Sequence, residues 1–156
     1  MCIRDSFAPI AQITENPLVI CTHKGTGWKS FKDLVAAAKK KPGTVTWSWG
    51  GMGGHGHFAS EALFATTGIT VRPVAHGGAA ESKVALAGGQ VDISVFGVVP
   101  LEYVKSGTFV PLAVTSDYRL PQLPKVPTLI ESGVDLSVSL RYSFFAPPKT
   151  PEAVLK

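Results

Sequence analysis

Thr44-Val45-Thr46-Trp47-Ser48-Trp49 runs straight into Gly50-Gly51-Met52-Gly53-Gly54-His55-Gly56, and His57-Phe58-Ala59-Ser60-Glu61-Ala62-Leu63-Phe64-Ala65-Thr66 follows. The first six residues alternate and are rich in β-branched and aromatic types, which predicts a strand over 44–49. The last ten predict a helix over 57–66, with Gly68 as the residue just beyond its C-terminus. A glycine-rich turn from strand to helix is the joint of a crossover unit, so the fold class depends on whether the chain repeats it.

It does. Upstream, Pro17-Leu18-Val19-Ile20-Cys21-Thr22 is a continuous apolar run that reads as a buried strand. Ser30 with Asp33 three residues on has the form of a capping box, and Phe31, Leu34, Val35 and Ala38 fall at i, i+3, i+4 and i+7, predicting an amphipathic helix that Pro42-Gly43 stops. Downstream, strand 69–75 meets the tight loop His76-Gly77-Gly78, helix 79–87 closes at Gly88-Gly89, strand 91–95 follows, and a short helix 101–105 precedes strand 109–115. Strands separated by single helices imply an α/β fold with a mostly parallel sheet. Beyond Ser116 the texture changes. Leu120-Pro121-Gln122-Leu123-Pro124-Lys125-Val126-Pro127 cannot be regular structure, since its prolines remove backbone donors, and it is expected to be an ordered loop or crossing segment. A strand around 142–146 and a helix starting at Glu152 complete the pattern.

Composition narrows the function classes. The 156 residues are 45% hydrophobic and 17% charged with a formal net charge of +4, which describes a folded domain and excludes a disordered chain. No apolar run approaches the roughly 20 residues of a membrane-spanning helix. Cys2 and Cys21 are too few for a disulfide framework or a cysteine zinc site. The densest basic run, Lys39-Lys40-Lys41, ends the amphipathic helix, where cations suit the helix dipole, so no nucleic-acid partner is expected. Met1-Cys2-Ile3-Arg4-Asp5-Ser6 lacks the apolar core of a secretory signal and starts as a fragment would. The mean hydropathy of +0.21 is high for a small freestanding domain.

Residues 51–56 match G-x-G-x-x-G between a strand and a helix, the context a dinucleotide site requires. Such a site also needs an acidic residue about 20 positions on, at the end of the next strand, for the ribose hydroxyls. That strand ends Val74-Ala75-His76, and the next acidic residue, Glu81, falls inside the following helix. A smaller anion such as a carboxylate therefore suits the loop better, held by backbone N–H groups at a helix N-terminus. The loop His76-Gly77-Gly78-Ala79-Ala80 repeats the design, and Phe96-Gly97-Val98-Val99-Pro100 joins them at the carboxyl edge of the sheet, where open α/β sheets bind ligands. The plainer alternative is that these glycines only permit tight turns. His23, His55, His57 and His76 lack the spacing and acidic partners of a metal site, and no nucleophile elbow or paired carboxylate marks a catalytic centre. His57 is expected to cap or pack at its helix start, with His55 and His76 lining the crevice. Trp47 and Trp49 share a strand face, and Trp49 reads equally as core or as crevice wall.

Several strings carry a resemblance when taken in order. Pro17-Leu18-Val19, Asp33-Leu34-Val35 with Lys39 to Pro42-Gly43, His76-Gly77-Gly78-Ala79 and Gly88-Gly89-Gln90-Val91-Asp92 come first. Leu112-Ala113-Val114-Thr115-Ser116, Leu123-Pro124-Lys125-Val126-Pro127-Thr128 and Ala146-Pro147-Pro148-Lys149-Thr150-Pro151 follow. In this order and spacing they resemble the tripartite tricarboxylate transporter substrate-binding family, the Bug-type periplasmic solute receptors, over nearly everything from Phe7 onward. The resemblance implies a type II periplasmic binding protein-like fold and no enzyme activity. One complete lobe is expected, with crossing strands of the other: 1–6 matches nothing, 7–22 ends the first lobe and crosses, 23–140 is the second lobe, and 141–156 returns to the first. It implies a monomeric, periplasmic receptor that captures a small organic anion, a carboxylate, without a cofactor or metal, and delivers it to membrane permease subunits. The apolar bias would then be surface meant for the other lobe.

On this mapping Gly53, Gly54 and His55 donate to one carboxylate, His76, Gly77, Gly78 and Ala79 hold a second polar end, and Trp49 and Phe96 are apolar walls. Where relatives commonly carry small hydroxyl residues in the first loop this chain has Gly50, Gly54 and His55, and His76 stands in place of a basic residue, so backbone donors survive and side-chain donors do not. Two other readings are kept: a nucleotide-dependent α/β enzyme using loop 51–56, and a sensor lobe that signals to a partner protein.

Overall fold

The computed structural model describes residues 6–97 and 100–155, so the expectations for Met1–Asp5, including Cys2, and for Val98 and Val99 in the third loop lie outside the described residues. The chain divides into two compact units, one of residues 1–16 with 139–156 and one of residues 17–138. In the smaller unit β1 (Ala8–Pro17) and β7 (Ser139–Ala146) form a two-stranded sheet, followed by the short helix α5 (Glu152–Leu155). The Phe7 and Phe145 rings meet edge-on with centroids 6.2 Å apart. Phe7, Ile13, Phe144 and Phe145 are nevertheless all more than half exposed.

The larger unit is a five-stranded sheet with helices on its faces. In chain order it contains β2 (Val19–His23), α1 (Phe31–Lys40), β3 (Thr46–Gly50), α2 (His55–Thr67), β4 (Arg72–His76), α3 (Ala79–Ala87), β5 (Ile93–Phe96), α4 (Leu101–Lys105) and β6 (Phe109–Val114). The strands lie in the order β4-β3-β5-β2-β6. β3 pairs in parallel with both β4 and β5, as crossover connections require. The expectation of a mostly parallel sheet needs correction at β2, which runs antiparallel to both β5 and β6. Four strands thus point one way, and the sheet is mixed because β2 enters it before any crossover helix has been made and wedges between strands formed much later in the chain. Its continuous apolar run follows from that position: Val19, Ile20, Cys21 and Thr22 are buried on both faces. Burial also pushes the Cys21 thiol far above its usual range, making it a packing group.

Two apolar clusters fill the two faces. One joins Trp47, Trp49, Phe31, Leu34, Leu63, Ile20 and Ile93, and the other joins Val19, Leu86, Val91, Phe96, Phe109 and Val114. Trp47 Nε1 donates to Ser60 Oγ at 2.8 Å, so this large ring is buried without an orphaned donor. Between the clusters a hydroxyl chain ties α3 to the sheet: Ser48 and Ser82 lie 2.6 Å apart and Ser82 bonds Ser94 in turn, all three fully buried. At the opposite end of β3, Thr46 donates through N and Oγ1 to Asp92 Oδ2 (2.8 and 2.7 Å) and accepts from Asp92 N at 2.8 Å, fixing where β3 and β5 begin.

The local readings of the sequence hold with small shifts at the ends. Ser30 Oγ accepts from Asp33 N while Asp33 Oδ2 accepts from Ser30 N (3.3 and 2.9 Å), the reciprocal capping box. The proline-rich segment is an ordered loop, held by Arg119, whose Nε donates to both carboxylate oxygens of Glu131 while a second guanidinium nitrogen donates to the Pro124 carbonyl.

Ser82→Ala leaves the buried Ser48 and Ser94 hydroxyls short of a partner and should lower unfolding free energy by about 1–3 kcal/mol in urea melts. Asp33 gives a second expectation. Hydrogen bonds from the Lys29 backbone, then from the Ser30 side chain, hold its carboxyl below the usual carboxylate range. Its contribution is therefore full above the unfolded value of about 4 and is lost as pH falls through the lowered folded value. Urea melts from pH 6 down to pH 2 should show the gap between wild type and Asp33→Ala closing over that acid window.

Candidate functional site

The glycine loops meet at the carboxyl ends of neighbouring strands. Gly50 pairs with His76 across the β3–β4 ladder, and Trp49 pairs with Val95 across β3–β5. The first loop departs from the sheet through left-handed turns that suit glycine, with φ of +106° at Gly51 and +72° at Gly53. At Gly50 the reason for glycine is contact: a Cβ there would lie 2.8 Å from Ala79 N and 2.9 Å from Ala79 Cα. The start of α3 is thus seated directly on the last residue of β3, and the N-termini of α2 and α3 emerge side by side. Neither N-cap residue, Gly54 or Gly78, provides a side-chain acceptor, so the first N–H groups of both helices need partners from elsewhere.

The residue before each N-cap, by contrast, has its N–H bonded within the chain. The N–H of Gly53, assigned to a ligand, donates to His57 Nδ1 at 3.1 Å. The N–H of Gly77 donates to Glu81 Oε2 at 2.8 Å. In each loop a side chain four residues on folds back over the glycine. The backbone groups left without an intrahelical partner are those of Gly54, His55 and Gly56 in the first loop and of Gly78, Ala79, Ala80 and Glu81 in the second, since intrahelical bonding starts only with the N–H groups of His57 and Ser82.

The aromatic walls are also reassigned. Trp49 is 1% exposed and Phe96 is 2% exposed, each within one of the two core clusters. Phe96 stacks on Phe109, and Trp49 stacks on His57 with centroids 4.6 Å apart and planes 18° apart. Both rings are thus packed in the core, Trp49 against the start of α2 and Phe96 against β6. His57 packs at its helix start, its Nε2 lying 3.8 Å from Glu61 Oε1. His55 and His76 stand on the two loops, and each has a buried Nε2 with no hydrogen-bond partner, as does the Trp49 indole nitrogen. Burial holds the His55 pKa below its usual value, so this ring is neutral near pH 7.

Sequence reasoning missed the contribution of Glu81. An acidic residue at the third position of a helix whose N-cap is glycine, four residues after another glycine, was the available signal. An open depression of about 420 Å³ is lined by His76, Ala80, Glu81, Val84, Ala85 and Gln90. Another, of about 400 Å³ between α1 and residues 132–135, lies away from the loops and is lined by Lys32, Lys39, Thr66, Thr67, Ser132 and Asp135 with apolar neighbours. Among the described residues no three His, Cys, Asp or Glu side chains gather as a metal site would require, and no helix is long and apolar enough to cross a membrane.

Comparison with known proteins settles the family. The family model described as tripartite tricarboxylate transporter family receptor matches residues 2–156. This chain belongs to that family. The protein BugT of Bordetella pertussis is 28% identical, over 98% of this chain and 48% of its own length. A TctC solute binding protein from Polaromonas, solved without ligand, is 30% identical with a TM-score of 0.83, over 97% of this chain and 52% of that one. Rpa4515 of R. palustris, solved with adipate, is 26% identical with a TM-score of 0.80, over 99% of this chain and 52% of that one. The fold is that of the periplasmic binding proteins, and the chain spans about half the length of the relatives it matches. Members of the family are solute-binding receptors and not enzymes, which weighs against the nucleotide-dependent reading of loop 51–56.

Gly50→Ala drives a methyl group into the Ala79 backbone and should cost about 1–3 kcal/mol in a urea melt, with the chemical shifts of the Gly78 and Ala79 amides displaced before any unfolding.

Proposed function

We propose that this chain provides one ligand-binding lobe of a periplasmic receptor that captures a small organic carboxylate and hands it to a membrane permease. The observation that carries this reading is the placement of two helix N-termini side by side at the ends of adjacent parallel strands, with Gly50 letting the start of α3 rest on the end of β3. Unpaired N–H groups and the positive ends of two helix dipoles converge there, an arrangement suited to a carboxylate. In this reading residues 17–138 are the second lobe, and the backbone of Gly54, His55, Gly78 and Ala79 supplies the donors. Trp49 and Phe96 stay packed in the core. The neutral His55 ring and the His76 ring add hydrogen-bonding edges to the loops. Rpa4515, solved with adipate, supports the ligand class. The exposed Phe7, Ile13, Phe144 and Phe145 support a larger receptor in which more protein covers the smaller unit. The crevice is completed by the half of the receptor that the relatives have and these residues do not span, so binding by this chain alone is weak.

Titrating the 156-residue chain with adipate, malate and hexanoate while following backbone amide shifts should give millimolar binding centred on Gly54, His55 and Gly78. The absence of any shift at these amides with all three carboxylates would sink the proposal, and saturable quenching of tryptophan fluorescence by NADPH would favour a nucleotide site instead.

A further inference from the structure

The two loops look alike in sequence but differ in charge. α2 has no acidic residue in its first turn, whereas α3 has Glu81 there, and the Glu81 carboxylate already holds the Gly77 N–H at 2.8 Å. A carboxylate at the third helical position occupies the same favourable potential that would draw in an anionic ligand. It also places a negative charge where a second ligand carboxylate would have to sit. Glu81 Oε2 takes the backbone donor and Oε1 is left open to a further one. His76, whose buried Nε2 lacks a partner, lines the same depression as Glu81, with Val84 and Ala85 as its apolar side.

Resting on the receptor reading above, we propose that Glu81 is a specificity-determining residue. Its carboxylate stands in for one ligand carboxylate at the second loop, so the lobe selects ligands that carry a single carboxylate and a cationic or hydrogen-bond-donating group at the far end. The ligand carboxylate binds at the first loop, where the Gly54 and His55 N–H groups meet no competing acid on their own helix turn. The far end meets Glu81 Oε1 and the His76 ring. A dicarboxylate must either displace Glu81 from Gly77 or place its second charge against it, and like charges juxtaposed in a binding site are strongly selected against.

Three six-carbon probes isolate the effect: adipate, 6-aminohexanoate and hexanoate, which share one carboxylate and differ only at the other end. Each is titrated into the 156-residue chain and into Glu81→Gln and Glu81→Ala, with amide shifts followed at Gly54, His55 and Gly77. Wild type should bind 6-aminohexanoate about tenfold more tightly than adipate. Glu81→Ala should abolish or reverse that preference, and Glu81→Gln, which keeps an acceptor for Gly77 N–H but not the charge, should remove most of it. Glu81 is exposed on its helix, so both variants are expected to fold, and a retained wild-type pattern of remote amide shifts checks this. An adipate preference in wild type, or a preference ratio unchanged in both variants, overturns the role of Glu81 while leaving carboxylate binding intact. Failure of all three probes to shift Gly54 and His55 overturns the receptor reading and this inference with it.

Discussion

Three serine hydroxyls hold the loop-bearing edge of this sheet in register. Ser48 and Ser94 stand opposite each other on β3 and β5, and Ser82 reaches down from α3 to bond both in a region without solvent. A buried hydroxyl needs a partner, so α3 cannot slide along the sheet without orphaning the other two. With α3 fixed, its first residue rests on Gly50, and the two loops are forced to share one edge. The Thr46–Asp92 exchange plays the matching part at the other end of the same strands. Polar groups thus set the alignment, and the two apolar clusters supply the bulk of the burial around them.

Much of this was legible in the sequence because local rules and tertiary demands coincide. The Ser30–Asp33 box, the Gly68 cap with φ of +66°, the closure of α3 at Gly88 and the apolar run of β2 all appear where periodicity and turn chemistry put them. Three things were not legible. β1 lacks the buried face that makes a strand stand out, with Ala8 to Thr14 largely exposed. The direction of β2 depends on which strands flank it, and nothing local records that. The inward placement of Trp49 and Phe96 follows from strand pleat against packed helices, and a position next to a loop does not override it.

The loops carry a more general lesson about glycine motifs. A G-x-G-x-x-G string announces free backbone donors, yet in both loops one donor is claimed by the side chain four residues further on, His57 in one and Glu81 in the other. Counting glycines therefore overstates what is open to a ligand. The residue that folds back also sets the chemistry beside what remains, an imidazole at the first loop and a carboxylate at the second.

The insertion of β2 has a bearing on how the chain reaches this state. Val19 pairs with Phe96 on one side and Val114 on the other, and Leu18 N donates to Thr115 Oγ1 across 97 residues of sequence. The slot between β5 and β6 is therefore filled by a segment that lies far upstream of both in the chain. Parallel β3, β4 and β5 can assemble around their crossover helices while β2 waits with four apolar-run residues unpaired. Such long-range closure makes folding slow relative to a helical domain of equal size, and until it is complete the apolar run of β2 has no partner strands to cover it.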